Sequence, residues 1–541
     1  MKSNLQQNII QLVPEHIDFN NIKVDLLRYL NFNVVENEET NQVKTIHFLD
    51  TFNLSCFKQK LFALKHTSHF NLMSDDRLLD YLFSMQASAD NDLHRVETEQ
   101  LPKFWWQFTQ PKLRSMLKKI IGLRALTDIG EGIFSNRQLK IQNEENKTIA
   151  VVILLEARSL SNEQNNSFKC IKIQSVRGYN KELKQILKLF QKSGSFTPQQ
   201  SIIKSLFHSL NIRTEIFDIK PQINIEPQTP VRTMTNQLID LMLSKIRQTE
   251  PGLIGDVDTE FLHHYRVALR MVRAVITQLK EVYQVNDVVD LKLRFGNLAK
   301  KTNHLRDLDV FILDKNKYLE LLPTTLQVGL LPLFQDINEQ RDKEFVRVKN
   351  WLLSDEYIHE IDNLQQLFSN NFGSGETLWS ETPCLDIAII KINKRYKKIN
   401  RATQLITKDT SDEEIHELRI ECKKLRYLLY FFASLFEQNN FKKVIKKLKV
   451  LQDSLGIFND LSVQIDFLQH YLNQLIKSSL SQKNTALAAS LGGLITALTE
   501  RQNQQRQVCI EQLIQFGHTD VQLLMNQTFI SSDNLKTEST I

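Results

Sequence analysis

The sequence copies itself at a fixed interval, and no other feature restricts the fold as much. Stepping 153 positions on from His263 reaches His416, and the same step takes Pro230 to Pro383, Arg266 to Arg419, Arg273 to Arg426 and Asp307 to Asp460. Thr229, Lys245, Asp256, Glu260, Leu298 and Val310 recur in the same way as Thr382, Lys398, Asp409, Glu413, Leu451 and Val463. A register kept without a gap over this span is the signature of internal duplication.

The duplicated unit is helical. Beyond Pro230 apolar residues return three and four positions apart, as in MTNQLIDLMLSKI and KVIKKLKVLQDSL, and the alternation typical of strands is missing. A Gly-, Ser- and Asn-rich stretch from Phe372 to Pro383 separates the copies. Repeat 1 is therefore placed at about 230–371 and repeat 2 at about 383–526, with a tail over 527–541.

A chain of 541 residues exceeds the ~250–300 at which single cores stop growing, so a second domain is expected upstream. The proline-spaced run over 218–229 reads as an extended linker. Within 1–217, VKTIHFL, KTIAVVILLEA and FKCIKI have strand character, whereas LPKFWWQFTQPKLRSMLKKIIGL and KELKQILKLF have helical spacing. That mixture makes an α+β domain.

The repeats carry a shared pattern of His-x-x-Arg-x-x-x-(Arg/Lys)-x-x-Arg: His263, Arg266, Arg270 and Arg273 in the first, His416, Arg419, Lys423 and Arg426 in the second. At about 100° per residue these offsets fall inside a stripe of about 80°, so an imidazole and three cations share one side of a helix. Leu262, Val267, Leu269 and Ile276 are left to anchor other faces. Solvation alone needs no fixed spacing, and no acid occupies a stripe position in either copy, so like charges go uncompensated within the stripe. An anion is expected to compensate them.

Further cations extend the pattern. Lys300, Lys301 and Arg306 serve the first copy; Lys398, Lys424, Lys446, Lys447 and Lys449 serve the second, from basic runs that include Lys391, Lys394, Arg395 and Lys397. Stripes facing one another would form a positive groove suited to a long anion. Arg offers a planar fork for two oxygens, Lys a compact charge, and His263 or His416 could donate once protonated. Asp307 and Asp460 are expected to hold a turn or orient these side chains. Replacing Arg266 and Arg419 together by Glu is expected to abolish binding while leaving stability unchanged.

Other chemistry is thinly represented. Cys56, Cys170, Cys384, Cys422 and Cys509 have no metal-like or paired spacing, which fits a reducing cytoplasm. No stretch approaches the ~20 apolar residues of a membrane span, and the helical half has no phosphate-binding glycine loop or nucleophile motif. The net charge of +6 names no partner by itself.

HHYRVALRMVR followed by RDLDV, and HELRIECKKLRY followed by LQDSLGIFNDLSV, closely resemble the two signatures of the CHAD domain, a conserved-histidine α-helical family. The resemblance covers roughly Thr229 to Asn526. Met271 stands where that family has a basic residue, His264 where it has an acid and Tyr430 where it commonly has Glu. The resemblance implies a pseudo-symmetric helical domain that binds inorganic polyphosphate, often at intracellular granules, through the positions named above.

Upstream, Phe48-Leu49-Asp50-Thr51-Phe52-Asn53-Leu54, with Lys65 beyond it, more weakly resembles the CYTH family, an antiparallel barrel around a triphosphate tunnel. The tunnel's paired glutamates are replaced by Lys172 and Gln174, which cannot hold a divalent metal, and Glu156 alone is a poor substitute. Arg137, Lys140, Lys147 and Arg158 could still bind phosphate, although an ordinary surface role is the favoured reading.

The expectation is a degenerate CYTH-like α+β domain fused to an all-α CHAD domain, binding polyphosphate without catalysis and without cofactor or membrane. A divalent cation enters only if the first domain is active. The rival readings are a metal-dependent triphosphatase or polyphosphatase, and a nucleic-acid binder using the same groove. Aromatics beside the stripes, needed for base stacking, are few: Tyr265, Tyr427 and the segment from Tyr430 to Phe432.

Overall fold

The computed structural model describes residues 8–13, 19–30, 32–37, 41–85, 94–98, 100–160, 167–193, 199–370, 372–373, 377, 379–477 and 482–529. The chain forms two compact units, Met1–Asp218 and Ile219–Ile541.

The first unit is one antiparallel sheet flanked by helices. Its strands are β1 (Asn8–Leu12), β2 (Asn33–Glu36), β3 (Gln42–Asp50), β4 (Leu61–His66), β5 (His69–Ser74), β6 (His94–Glu97), β7 (Thr127–Gln142), β8 (Thr148–Ser159) and β9 (Ser167–Ser175). They lie in the order β1-β9-β8-β7-β3-β4-β5-β6, with β2 also paired to β7. The helices are α1 (Phe19–Leu30), α2 (Ser55–Lys58), α3 (Asp75–Ser84), α4 (Pro111–Ile121), α5 (Asn180–Ser193) and α6 (Gln199–Ser209).

Both faces of this sheet are covered. Ile46, Phe48, Phe62, Leu64, Phe134, Leu155 and Phe168 meet Leu78 and Leu82 of α3 and Ile202 and Phe207 of α6 on one side. On the other, Leu154, Ile171 and Ile173 meet α1 and α5, and Ala63, Phe70 and Leu72 meet α4. Such double coverage explains why β8 and β9 read as nearly continuous apolar runs rather than alternating ones. Two glycines sit in β7 because the chain after α6 crosses it closely: a Cβ on Gly132 would come within 2.8 Å of the Leu210 side chain.

The second unit is helical: α7 (Val231–Ile254), α8 (Thr259–Gln278), α9 (Val285–Lys301), α10 (Asn303–Leu313), α11 (Lys315–Glu320), α12 (Thr324–Gln327), α13 (Leu331–Leu352), α14 (Asp355–Ser369), α15 (Cys384–Thr403), α16 (Asp412–Phe431), α17 (Gln438–Lys477), α18 (Gln482–Phe516) and α19 (Thr519–Phe529). The duplication is visible in where helices begin. The stripe helices α8 and α16 are capped at matched positions: Asp258 accepts from the Glu260 N–H, and Ser411 forms a capping box with Glu414.

The copies then diverge. In the first, α9 ends at Lys301 and α10 starts at Asn303; in the second, α17 runs unbroken through the corresponding positions from Gln438 to Lys477. The proline-spaced segment before the helices is extended and held on the helical unit: Tyr430 Oη donates to Pro221 O at 2.6 Å and Leu385 N to Pro227 O at 3.2 Å.

Candidate anion-binding site

Helices α8 and α16 pack against each other, which brings the two stripes together. Their anchors are where periodicity puts them, with Leu262, Val267, Leu269 and Ile276 all buried. Arg270 and Arg273 are exposed, and Arg419, Lys423 and Arg426 are half-buried. Arg270 of the first copy lies close enough to act on the charges of Arg419 and Lys423 in the second. Arg270 and Lys423, equivalent residues, thus face each other where the repeats meet.

Arg270, Lys423 and Arg426 line one cleft of ≈ 380 Å³, joined by Lys442 and by Lys220 from the docked segment. Its wall is apolar and aromatic, including Met271, Tyr427 and Phe441. Among the described residues, none of Arg270, Arg273, Arg419, Lys423 and Arg426 makes an ion pair with a carboxylate. Burial, followed by the neighbouring charges of Arg419, Arg270 and Arg426, pushes the Lys423 ammonium down to about 8, with Asp460 only partly offsetting this. Cations crowded in this way repel one another, and an anion among them would relieve that repulsion.

The two arginines that head the cationic rows differ. Arg266 Nη1 donates to Ala299 O at 3.2 Å, Thr302 Oγ1 at 3.1 Å and Asn303 Oδ1 at 2.7 Å. It closes the end of α9. Among the described residues Arg419 has no such partners, and its Nε is buried without a hydrogen bond. Replacing both by Glu therefore removes a helix cap as well as a charge, which corrects the expectation of unchanged stability. Burial, then Arg306 and Arg270, hold the His263 imidazole down at about 3, so it is neutral here. His416 is exposed.

Several other cations are already engaged. Lys398 and Lys424 reach Glu421 Oε1 at 3.2 and 2.9 Å, and Arg395 binds the second oxygen. Burial alone would raise the Glu421 carboxyl, yet hydrogen bonds from Lys424 and Arg395 outweigh it and hold it at about 2. Lys391 pairs with Glu281 at 2.7 Å, and Lys447 with Asp520 at 3.1 Å. Arg306 is half-buried, with Nη1 3.5 Å from Thr259 O and with Glu260 and Asp309 as counter-charges. Lys300, Lys301, Lys446 and Lys449 are exposed at the helix surfaces. Lys220 was outside the sequence reading because an irregular proline-spaced segment has no helical phase from which to place it.

In the first unit Lys172 is buried and pairs with Asp80 of α3 at 2.5 Å. Arg137 grips Glu36, Arg158 meets Glu156 at 2.7 Å, and Lys147 meets Glu145 at 2.7 Å. Asp50, the third residue of the FLDTFNL motif, accepts the backbone N–H groups of Cys56 and Phe57 at 2.9 and 2.8 Å and so caps α2.

Residues 237–469 match the family described as CHAD domain. Among solved structures, the CHAD domain from the plant Ricinus communis is 20% identical, covering 56% of this chain and 97% of that one with a TM-score of 0.46. PptA from Streptomyces chartreusis is 12% identical, covering 53% and 100%, with a TM-score of 0.41. A putative adenylate cyclase from Bacillus halodurans is 14% identical, covering 36% and 92%, with a TM-score of 0.22. A comparison with curated proteins returns no match.

Proposed function

From the premise that residues 237–469 form a CHAD domain, we propose that the protein binds inorganic polyphosphate without catalysis and is associated with polyphosphate inside the cell. The observation that carries this is the meeting of Arg270 with Arg419 and Lys423 across the duplicated helices, with no carboxylate paired to any of them among the described residues. Phosphate oxygens would replace like-charge repulsion by charge-assisted hydrogen bonds and release condensed counterions. Arg426 and Lys442 share the cleft, and Arg273, Lys300, Lys301, Lys446 and Lys449 extend the positive field for a longer chain.

Two observations favour binding of polyphosphate over the rival readings. A tunnel hydrolase needs carboxylates in a hollow, whereas one side of this sheet is filled by Phe48, Phe62, Leu64, Phe134, Leu155 and Phe168 against α3 and α6. A single-strand binder needs exposed rings for stacking, whereas of the rings named beside the stripes Tyr265, Phe431 and Phe432 are buried, leaving Tyr427 and Tyr430 at the cleft wall.

The test is titration of the full chain with polyphosphates of graded length at two salt concentrations, with single-stranded RNA as competitor at equal phosphate. Affinity is expected to rise with length and fall steeply with salt. Preference for RNA, or phosphate release from tripolyphosphate with Mg²⁺, would overturn the reading.

A further inference from the structure

Resting on polyphosphate binding at this site, we propose that the duplicated stripes have divided their work: Arg419, Lys423 and Arg426 of the second copy, with Arg270 of the first, seat the phosphate, while Arg266 is a structural cap. The difference originates in one helix break. Ending α9 at Lys301 leaves the Ala299 carbonyl to accept from the Thr302 N–H at 3.3 Å and the Thr302 hydroxyl at 3.1 Å instead of from a further helical turn, and its second lone pair faces an additional donor. Arg266 Nη1 adds to this cap, donating to Ala299 O and to the Thr302 and Asn303 side chains, and its charge sits favourably at a helix C-terminus.

None of those acceptors recurs in the second copy. One repeat length on, Ala299, Thr302 and Asn303 become Gln452, Leu455 and Gly456 inside the unbroken α17. The carbonyl corresponding to Ala299 O lies within a continuing helix, and the two polar side chains are gone. Gln452 directs its amide N–H to Cys422 O at 2.6 Å, and its Oε1 is itself without a partner. Among the described residues Arg419 makes none of the bonds that Arg266 Nη1 makes, and its Nε is buried without a hydrogen bond.

The place of the lost Asn side chain is also open, since a Cβ built on Gly456 would meet nothing within 4 Å. Gly456 and Arg419 are the repeat equivalents of Asn303 and Arg266, which touch, and Arg419 lies close enough to act on the charge of Lys423, which among the described residues has no carboxylate at ion-pair distance. A phosphate group of a chain fits that vacancy by accepting from the Arg419 fork while Lys423 and Arg270 neutralise it. The first copy differs, because Arg266 Nη1 is held by three acceptors, one of them the Asn303 side chain at the position of Gly456.

Three variants of the full chain separate the roles: Arg419→Gln, Arg266→Gln and Gly456→Asn, each titrated with tripolyphosphate and melted without ligand. Arg419→Gln is expected to weaken tripolyphosphate binding about tenfold or more with the melting temperature unchanged, the size of a lost charge-assisted bond. Arg266→Gln is expected to lower the melting temperature and leave affinity within about threefold of wild type, too small a change for a lost phosphate contact. Gly456→Asn, which refills the space, is expected to weaken binding without unfolding. Equal losses of affinity for Arg266→Gln and Arg419→Gln, or a lowered melting temperature for Arg419→Gln, would overturn the division of work while leaving polyphosphate binding intact. Failure of the wild type to bind any polyphosphate would remove the proposed function and this inference together.

Discussion

Pro230 and Pro383, one repeat length apart, lie against each other in an antiparallel bridge: the N–H of Val231 donates to Thr382 O at 3.0 Å and that of Cys384 to Thr229 O at 2.9 Å. The two bonds interchange under the repeat, as a local twofold axis requires. That axis sets α7 beside α15, and α8 and α16 also meet as equivalent partners. The facing of Arg270 and Lys423 follows from it.

Breaking one half of this bridge tests how much it holds. Proline is tolerated at the first position of a helix, so Cys384→Pro removes the N–H donated to Thr229 O without disrupting α15. It is expected to cost about 1–3 kcal/mol in thermal or urea unfolding, relative to Cys384→Ala, which keeps the bond.

Binding should depend on pH in the alkaline range. The Lys423 ammonium sits at about 8 in the free protein, so above that pH it has largely lost its proton and a bound polyanion must draw one back. Affinity for tripolyphosphate is expected to fall from pH 8 upward by up to about tenfold per pH unit. Calorimetry at pH 8.5 in two buffers of different ionisation enthalpy should show proton uptake, absent from Lys423→Arg.

The Glu421 carboxylate gives the fold an acid-sensitive element. Its value in the folded chain, about 2, is below the ordinary 4.5, so its stabilisation is fully present above 4.5 and lost as pH falls towards 2. The side chain is 9% exposed, and the loss should amount to roughly 3 kcal/mol. Urea unfolding at pH 5 and pH 2.5, repeated on Glu421→Gln, checks this: the variant should show a shallower decline.

Crowding at the sheet makes a prediction for the first unit. Gly132→Val would press a branched side chain into Leu210 and should destabilise by about 1–3 kcal/mol. Melting should register the loss, while tripolyphosphate affinity stays at the wild-type value.

Much of the helical architecture was legible because duplication and three-four spacing are both periodic, and periodic signals survive in one sequence. The stripe positions were legible for the same reason. What periodicity could not supply was occupancy. That Arg266 is engaged depends on α9 breaking at Thr302, and that Arg395 and Lys398 are engaged depends on Glu421 projecting from α16 towards α15. In the first unit β7 escaped the strand reading because Gly130, Gly132 and Asn136 interrupt its apolar pattern, although it is the strand on which β2, β3 and β8 assemble.

Where the second copy has Glu421 the first has Ala268, fully buried in α8. One divergent position thereby turns a row of prospective ligand contacts into mortar between α15 and α16. A tally of basic residues along this chain overstates the width of its electropositive strip, and a relative with alanine at both places would offer an incoming polyanion a broader landing ground on its second half.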